Sequence, residues 1–141
     1  MDTSLHGGCH FTARFTCPDR HSEVMPHDET ATVALVKPLL RARLAARVEL
    51  RGDIDVRVTH LPEAEVGCYE ARGGWVTSIQ INAHCAVAAA HLTPHGLLAL
   101  RDQLEADLSV GLNQFFGFVQ VDEVFLVPDA AGAVMSPLPV R

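Results

Sequence analysis

Histidine and cysteine are the residues of this chain whose side chains could bind a soft metal or act as imidazole base and thiolate, and they fall into two groups. The first group lies near the amino terminus and comprises His6, Cys9, His10, Cys17, His21 and His27. The second group lies in the middle of the chain and comprises His60, Cys68, His84, Cys85, His91 and His95. Zinc sites and cysteine catalysis both use these side chains. Their spacing decides which chemistry is feasible.

A zinc site in the first group is confined to the segment that follows the first predicted strand. Cys9 and Cys17 flank that strand and lie about 26 Å apart if it is straight, so one ion cannot hold both. The intervals from Cys17 to His21 and from His21 to His27 suit zinc, with a neighbouring acidic residue as the fourth ligand. We predict Cys17, His21 and His27 as candidate metal ligands. The alternative is a solvated loop beside a buried Cys17 thiol.

The second group offers a pocket rather than a catalytic pair. His84 and Cys85 are adjacent on a predicted strand, so they point to opposite faces and do not form a direct dyad. His91 and His95 bracket a predicted helix start, and they lack the Glu of the His-Glu-x-x-His metalloprotease motif. We predict His84, His91 and His95 as lining residues of a ligand pocket. The alternative is a set of surface histidines and an inert, buried Cys85 thiol.

Composition and charge narrow the class of protein. The chain has 141 residues, a hydrophobic fraction of 48% and a formal net charge of −6. These values are typical of one globular domain, and the acidic balance argues against a nucleic-acid partner. The amino terminus has no pattern of a signal peptide, and no apolar run approaches the ~20 residues of a membrane span. We therefore expect a cytoplasmic protein without a membrane partner, with a domain over residues 1–128 and a Pro-containing tail over 129–141.

Common catalytic motifs are absent from the sequence. The chain contains no GxxxxGK[ST] phosphate loop, no GxGxxG and no GxSxG elbow. The tripeptide Arg51-Gly52-Asp53 is interpreted as a turn. The sequence thus favours a protein that is not an enzyme.

Hydrophobic periodicity predicts strands and one ambiguous segment in the first half of the chain. Residues 11–17 alternate and indicate a half-buried strand. Residues 28–46 have helical spacing, but Pro38 makes a kink or a later helix start an open alternative. We predict hairpins joining 48–50 to 54–58 through Gly52-Asp53, and 66–72 to 75–82 through Gly73-Gly74. Residues 84–92 are interpreted as a further strand.

The second half has a clear helix and a final strand. Thr93 is a good N-cap and Pro94 suits the first helical position. The leucines at 97, 100, 104 and 108 share one helical face, and residues 121–127 form a last strand. The order predicts an α+β fold, a mainly antiparallel sheet of about five to six strands with one or two helices packed on one face.

Aromatic residues concentrate near the end of the chain. Phe115, Phe116 and Phe118 follow the second predicted helix, and aromatics are common in interface cores. We predict these three residues as the partner-binding surface of a non-enzymatic binding, assembly or regulatory protein that forms a homo-oligomer. The alternative for this segment is a strand that closes the core.

The order of elements bears on the kind of assembly. A helix, hairpins, a helix and a strand together resemble the small α+β proteins that form rings in phage tail and neck assemblies, which implies a structural or accessory role. Two other functions stay open: a small metal-binding regulator that uses the Cys17 segment, and a small enzyme or ligand carrier with a histidine-lined pocket.

Overall fold

The computed structural model describes residues 6–18, 29–62, 75–116 and 118–129. The elements in this part of the chain are β1 (His6–Pro18), α1 (Glu29–Ala45), β2 (Glu49–Leu50), β3 (Asp55–Pro62), β4 (Trp75–Ala88), a 3₁₀ turn (Ala89–His91), α2 (Pro94–Phe116) and β5 (Gln120–Pro128). The predicted α+β class is confirmed.

All strand pairs in the sheet are antiparallel, and the order across it is β2-β4-β1-β5. β3 also pairs with β4, on the same edge as β2. On that edge β2 lies opposite residues 85–86 and β3 lies opposite residues 75–82. Strand β4 therefore lies between β1 and β3, the strands that α1 connects. In the same way β1 lies between β4 and β5, the strands that α2 connects. This is the split β-α-β connectivity of ferredoxin-like folds.

Both helices pack on one face of the sheet and form the core with it. The buried residues of α1 are Thr32, Val36, Leu40 and Leu44, and those of α2 include Leu100, Leu104, Leu108 and Leu112. They meet the inward side chains of the central strands, among them Cys9, Phe11, Phe15, Ile79 and Ile81. The opposite face of the sheet, which we call the open face, has no described helix against it.

Pro38 lies inside α1 and does not end it. The helix begins at Glu29 and continues to Ala45, so a start near Pro38 is excluded. Pro38 is exposed, on the side away from the buried stripe. The buried residues before and after it hold the helix on the sheet despite the missing backbone donor.

The predicted hairpin between 48–50 and 54–58 is wrong. β2 and β3 each pair with β4 and not with each other: Leu50 lies opposite Cys85 and Asp55 opposite Asn82. Gly52, with φ of 83°, turns the chain between them without reversing it into a hairpin. Apolar alternation marked the strands correctly, but it could not identify their partner.

The predicted hairpin between 66–72 and 75–82 also needs correction. Residues 66–72 lie outside the described residues, and the stretch of β4 that they were expected to pair with has β1 on one edge and β3 on the other. Strand β4 continues to Ala88, so the separate strand predicted from residue 84 belongs to it.

The start of α2 is as the sequence predicted. Thr93 Oγ1 accepts a hydrogen bond of 2.9 Å from the Gly96 backbone N–H, and Pro94 is the first helical residue. The hydroxyl thus satisfies one of the amide donors that a helix start leaves without a partner.

Loss of this cap has a measurable cost. Thr93→Ala is expected to lower the free energy of unfolding by about 1 kcal/mol, because the Gly96 N–H loses its acceptor. Urea unfolding measures it, with Thr93→Ser as the matched control that keeps the hydroxyl. Equal stability of the alanine and serine variants would contradict the assignment of this cap.

Candidate functional site on the open sheet face

The open face carries a row of polar side chains on the two central strands. The pairs that face each other across β1 and β4 are His10 and His84, Thr12 and Asn82, Arg14 and Gln80, and Thr16 and Ser78. Thr12 Oγ1 donates to Asn82 Oδ1 over 3.1 Å, and the Arg14 guanidinium lies 3.9 Å from the Glu123 carboxylate of β5. Polar groups that satisfy one another cost less to cover than isolated ones.

A bulge in β5 adds an acidic residue to this row. The register with β1 shifts between Arg14 and Phe15, which leaves Asp122 as the extra residue of β5. Its carboxylate accepts a hydrogen bond from the buried Thr16 hydroxyl and one of 2.9 Å from Gln120 Nε2. The bulge therefore places a carboxylate where the regular register would put none.

Two apolar side chains stand out on this face beside the polar row. Phe125 is 51% exposed and Val127 is 52% exposed. They lie opposite Thr12 and His10 in the register of β5 with β1, so both belong to the open face. We call Phe125 and Val127 the β5 strip. Exposed apolar side chains next to each other on a strand are a feature of interaction surfaces.

The outer edge of β5 is poorly suited to pairing with another strand. The Asp129 N–H donates to the Gly8 carbonyl over 2.9 Å, so by alternation Val124 and Leu126 turn their backbone groups away from β1. Arg101 of α2 donates to the Val124 carbonyl over 3.3 Å, and Pro128 has no N–H to offer. A charged side chain and a proline both protect a sheet edge from strand addition.

A histidine cluster lies at the end of the open face where β5 leaves the sheet. His84 Nε2 lies 2.6 Å from Asp129 Oδ2, and the ring centroids of His10 and His84 are 6.4 Å apart, with an interplanar angle of 35°. A carboxylate only accepts, so Nε2 of His84 carries the hydrogen and a neutral ring has its lone pair on Nδ1. Asp129 thus sets the tautomer of His84.

Gly8 makes room for the carboxylate of this cluster. A Cβ at Gly8 would overlap Asp129 Oδ2, and the backbone of Asp129 is tied to the Gly8 carbonyl. Glycine at this position lets the β5 end close over β1. The carboxylate is therefore held beside the His84 ring.

The backbone pattern distinguishes the histidine pair from the cysteine pair beside it. The His84 carbonyl accepts from the Arg51 N–H over 2.8 Å, on the β2 edge of β4. His84 and His10 are therefore a non-hydrogen-bonded pair, in which side chains approach most closely. Cys9 and Cys85, one position away in the same register, are a hydrogen-bonded pair with a wider separation, which is unfavourable for a disulfide.

The cysteine thiols of the core are poor nucleophiles. Burial, and to a lesser degree the charge of Asp129, raises the pKa of Cys9 to about 11. Burial also raises the pKa of Cys85 to about 12, with the Cys9 and Asp129 charges adding to it and Arg51 opposing it. A thiol must ionise to react. The interpretation of Cys85 as a buried thiol agrees with its complete burial.

Of the three predicted metal ligands, Cys17 alone lies in the described part of the chain. Cys17 is fully buried on the core face of β1, opposite Thr77. His21 and His27 lie outside the described residues, so this metal site stays a prediction.

His60 Nδ1 lies 3.1 Å from Thr77 Oγ1. Cys17, Thr77 and His60 thus form a polar group at this end of the core, which the sequence did not indicate.

The predicted pocket histidines are not brought together as one group. His84 is on the open face, 46% exposed. His91 ends the 3₁₀ turn and lines a shallow groove with Ala86–Ala88 and residues 45–49, and His95 is exposed in the first turn of α2. The tight contact of His91 with Gly96 fixes the turn into the helix.

The three predicted partner-binding phenylalanines have different environments. Phe116 is buried in the core and Phe115 packs against the core, whereas Phe118 is 42% exposed. Of the three, only Phe118 is exposed. Phe125 belongs to the same aromatic segment of the sequence, and it was not among the three residues predicted to bind a partner, although it is 51% exposed.

Two members of the histidine cluster, His10 and Asp129, were not predicted as site residues, and neither was Gly8 beside them. His10 alternates with Cys9 and Phe11, so its place on the open face could be predicted, but its proximity to His84 depends on strand order. Asp129 and Gly8 carry no motif. The sequence did show that side chains alternate along β1, which places His10 on the face opposite Cys9 and Phe11.

Comparison of the chain with protein-family models, with curated proteins and with solved structures gave no significant match. Among the described residues, no three His, Cys, Asp or Glu side chains form a group that could hold a metal ion. No helix in the described part of the chain is long and apolar enough to cross a membrane.

Proposed function

We propose that this is a non-enzymatic binding protein that works as a homo-oligomer and self-associates through the β5 strip. The observation that carries the proposal is the half exposure of Phe125 and Val127, side by side on the last strand of the sheet. Covering their exposed parts removes apolar surface from water, which favours association. The occupant of the strip is the same strip of a second copy, related by a two-fold axis.

Charge around the strip favours a second copy over a basic partner. The chain carries a net charge of −6, which would oppose self-association through an acidic surface. Of the acidic residues near the strip, Glu123 lies 3.9 Å from Arg14, and Asp129 is hydrogen-bonded to His84. Val124–Val127 carries no charge. The contact between two identical strips would therefore be made by uncharged side chains.

Side chains rather than backbone groups are expected to make this contact. Arg101 occupies the outward carbonyl of Val124, and Pro128 lacks a donor, so a continuous sheet across two copies would be interrupted at both ends of the strip. An interface built from few side chains belongs to the weak and transient class. Its hot spot would be Phe125, since aromatic residues dominate such contacts.

The test is the oligomeric state of the full chain in solution. Sedimentation velocity over about a hundredfold range of concentration is expected to show reversible self-association of the wild type. Phe125→Glu is expected to weaken it by about tenfold or more, because the two-fold axis brings two charges into one apolar contact. Val110→Glu is the matched control, since Val110 on α2 is 55% exposed and lies outside the strip.

Three outcomes would contradict the proposal. A wild type that stays monomeric over the whole range removes it. Equal weakening by Phe125→Glu and Val110→Glu removes the strip as the interface. Stronger association of Arg101→Ala, without an effect of Phe125→Glu, would indicate strand pairing through the β5 edge instead.

A further inference from the structure

We propose that His10 and His84 form a binding site for a divalent transition-metal ion, with Asp129 acting through His84. The site is distinct from the predicted Cys17 segment and does not depend on the proposed self-association. Imidazole nitrogen is a good ligand for zinc, copper and nickel. The argument rests on the geometry of the pair, the fixed tautomer of His84 and the position of the carboxylate.

The two rings are close enough to share one ion. They project from directly opposite, non-hydrogen-bonded positions of β1 and β4, where side chains are closest. A metal bound by one nitrogen of each ring lies about 3 Å from each centroid, which implies centroids about 5–6 Å apart. The observed separation is 6.4 Å. Small side-chain rotations of two exposed residues bring the nitrogens to the bonding distance.

Asp129 has the position of the carboxylate in a carboxylate–histidine–metal arrangement. It accepts from Nε2 of His84 over 2.6 Å, which leaves Nδ1 as the metal-binding atom. Such a partner orients the ring and increases the basicity of the ligating nitrogen. The backbone bond from Asp129 to Gly8, and the absence of a Cβ on Gly8, hold the carboxylate there.

The protein supplies two ligands, which agrees with the absence of any suitable group of three among the described residues. Water would fill the remaining coordination positions. The site would therefore be of moderate affinity and open to exchange. It would take copper, nickel or zinc rather than magnesium or calcium, which prefer oxygen ligands.

Metal titration of the untagged full chain tests the site. Calorimetry with Zn²⁺ and electron paramagnetic resonance with Cu²⁺ are the two readouts. His10→Ala and His84→Ala are each expected to lower the affinity of this site by about tenfold or more, and Asp129→Ala by about tenfold, because it removes the orienting acceptor. The Cu²⁺ spectrum of the wild type is expected to show coupling to two imidazole nitrogens, which the single histidine variants reduce to one.

Two controls separate this site from other donors in the chain. His95→Ala removes an exposed histidine outside the cluster and is expected to leave binding unchanged. A Cys17→Ser, His21→Ala, His27→Ala variant removes the other predicted ligands and should keep the two-nitrogen spectrum. Unchanged affinity in His10→Ala and His84→Ala, a spectrum without two nitrogens, or no binding by the wild type would each overturn the proposal. Circular dichroism confirms that the variants are folded.

Discussion

Truncation of Phe11 to alanine is expected to lower the free energy of unfolding by about 3–5 kcal/mol. Phe11 is fully buried in the central strand β1. Its neighbours across the sheet are Ala83 on β4 and Leu126 on β5. Because Ala83 is small, it cannot fill the space that the ring leaves, and the cavity persists between the sheet and the helices. The loss is large compared with the total stability of a domain of this size.

The matched control is the same substitution on the other face of the sheet. Phe125→Ala removes a ring that is half exposed, so less than about 1 kcal/mol is expected. Urea unfolding of both variants, at a protein concentration low enough to exclude self-association, gives the two values. Similar losses at the two positions would contradict the assignment of Phe11 to the core face and Phe125 to the open face.

Local patterns were sufficient for the faces of β1 and the start of α2. Cys9, Phe11 and Phe15 alternate with polar residues, and the structure buries them. Thr93 and Pro94 combine a side-chain acceptor with a preset backbone angle, so α2 begins where the sequence predicted. Both signals depend on neighbouring residues only. For this reason they remain valid whatever the rest of the chain does.

Strand pairing could not be predicted in the same way. Residues 48–50 and 54–58 are separated by a glycine turn, and the hairpin rule joins such strands. The structure gives both to β4 instead, because this strand is 14 residues long and pairs with the two of them at successive positions along one edge. Which strand lies at the centre of a sheet, and which strands pair with it, is decided by the whole sheet. No short stretch of sequence contains this information.

The candidate site, too, could be predicted from the sequence only in part. Parity predicted that His84 and Cys85 point to opposite faces, and the exposed imidazole and buried thiol confirm it. The partners of His84 come from residue 10 and residue 129 and depend on the order β4-β1-β5. Long-range topology thus turns separate polar residues into the histidine cluster, while the predicted group of His84, His91 and His95 is spread over β4, the 3₁₀ turn and the first turn of α2.

The second large effect is a loss of stability in alkaline solution. Cys9 and Cys85 have pKa values raised from 9.0 to about 11 and about 12, with burial as the first cause. Above pH 9 the unfolded chain releases thiol protons that the folded chain retains. The unfolded state then binds fewer protons, so the free energy of unfolding falls as pH rises, by about 1.4 kcal/mol per pH unit for each thiol. The stabilisation is fully present below pH 9.

A double variant isolates this contribution from the other groups that titrate at high pH. Cys9→Ala/Cys85→Ala is expected to be less stable than the wild type at pH 7, because two buried sulfurs are lost. Between pH 9 and 11, however, its stability should fall less steeply by about 2 kcal/mol per pH unit or more, since neither site can ionise. Urea unfolding at several pH values measures both slopes. Parallel pH profiles would mean that the two thiols ionise as freely in the folded protein as in the unfolded chain, which complete burial between the sheet and the helices opposes.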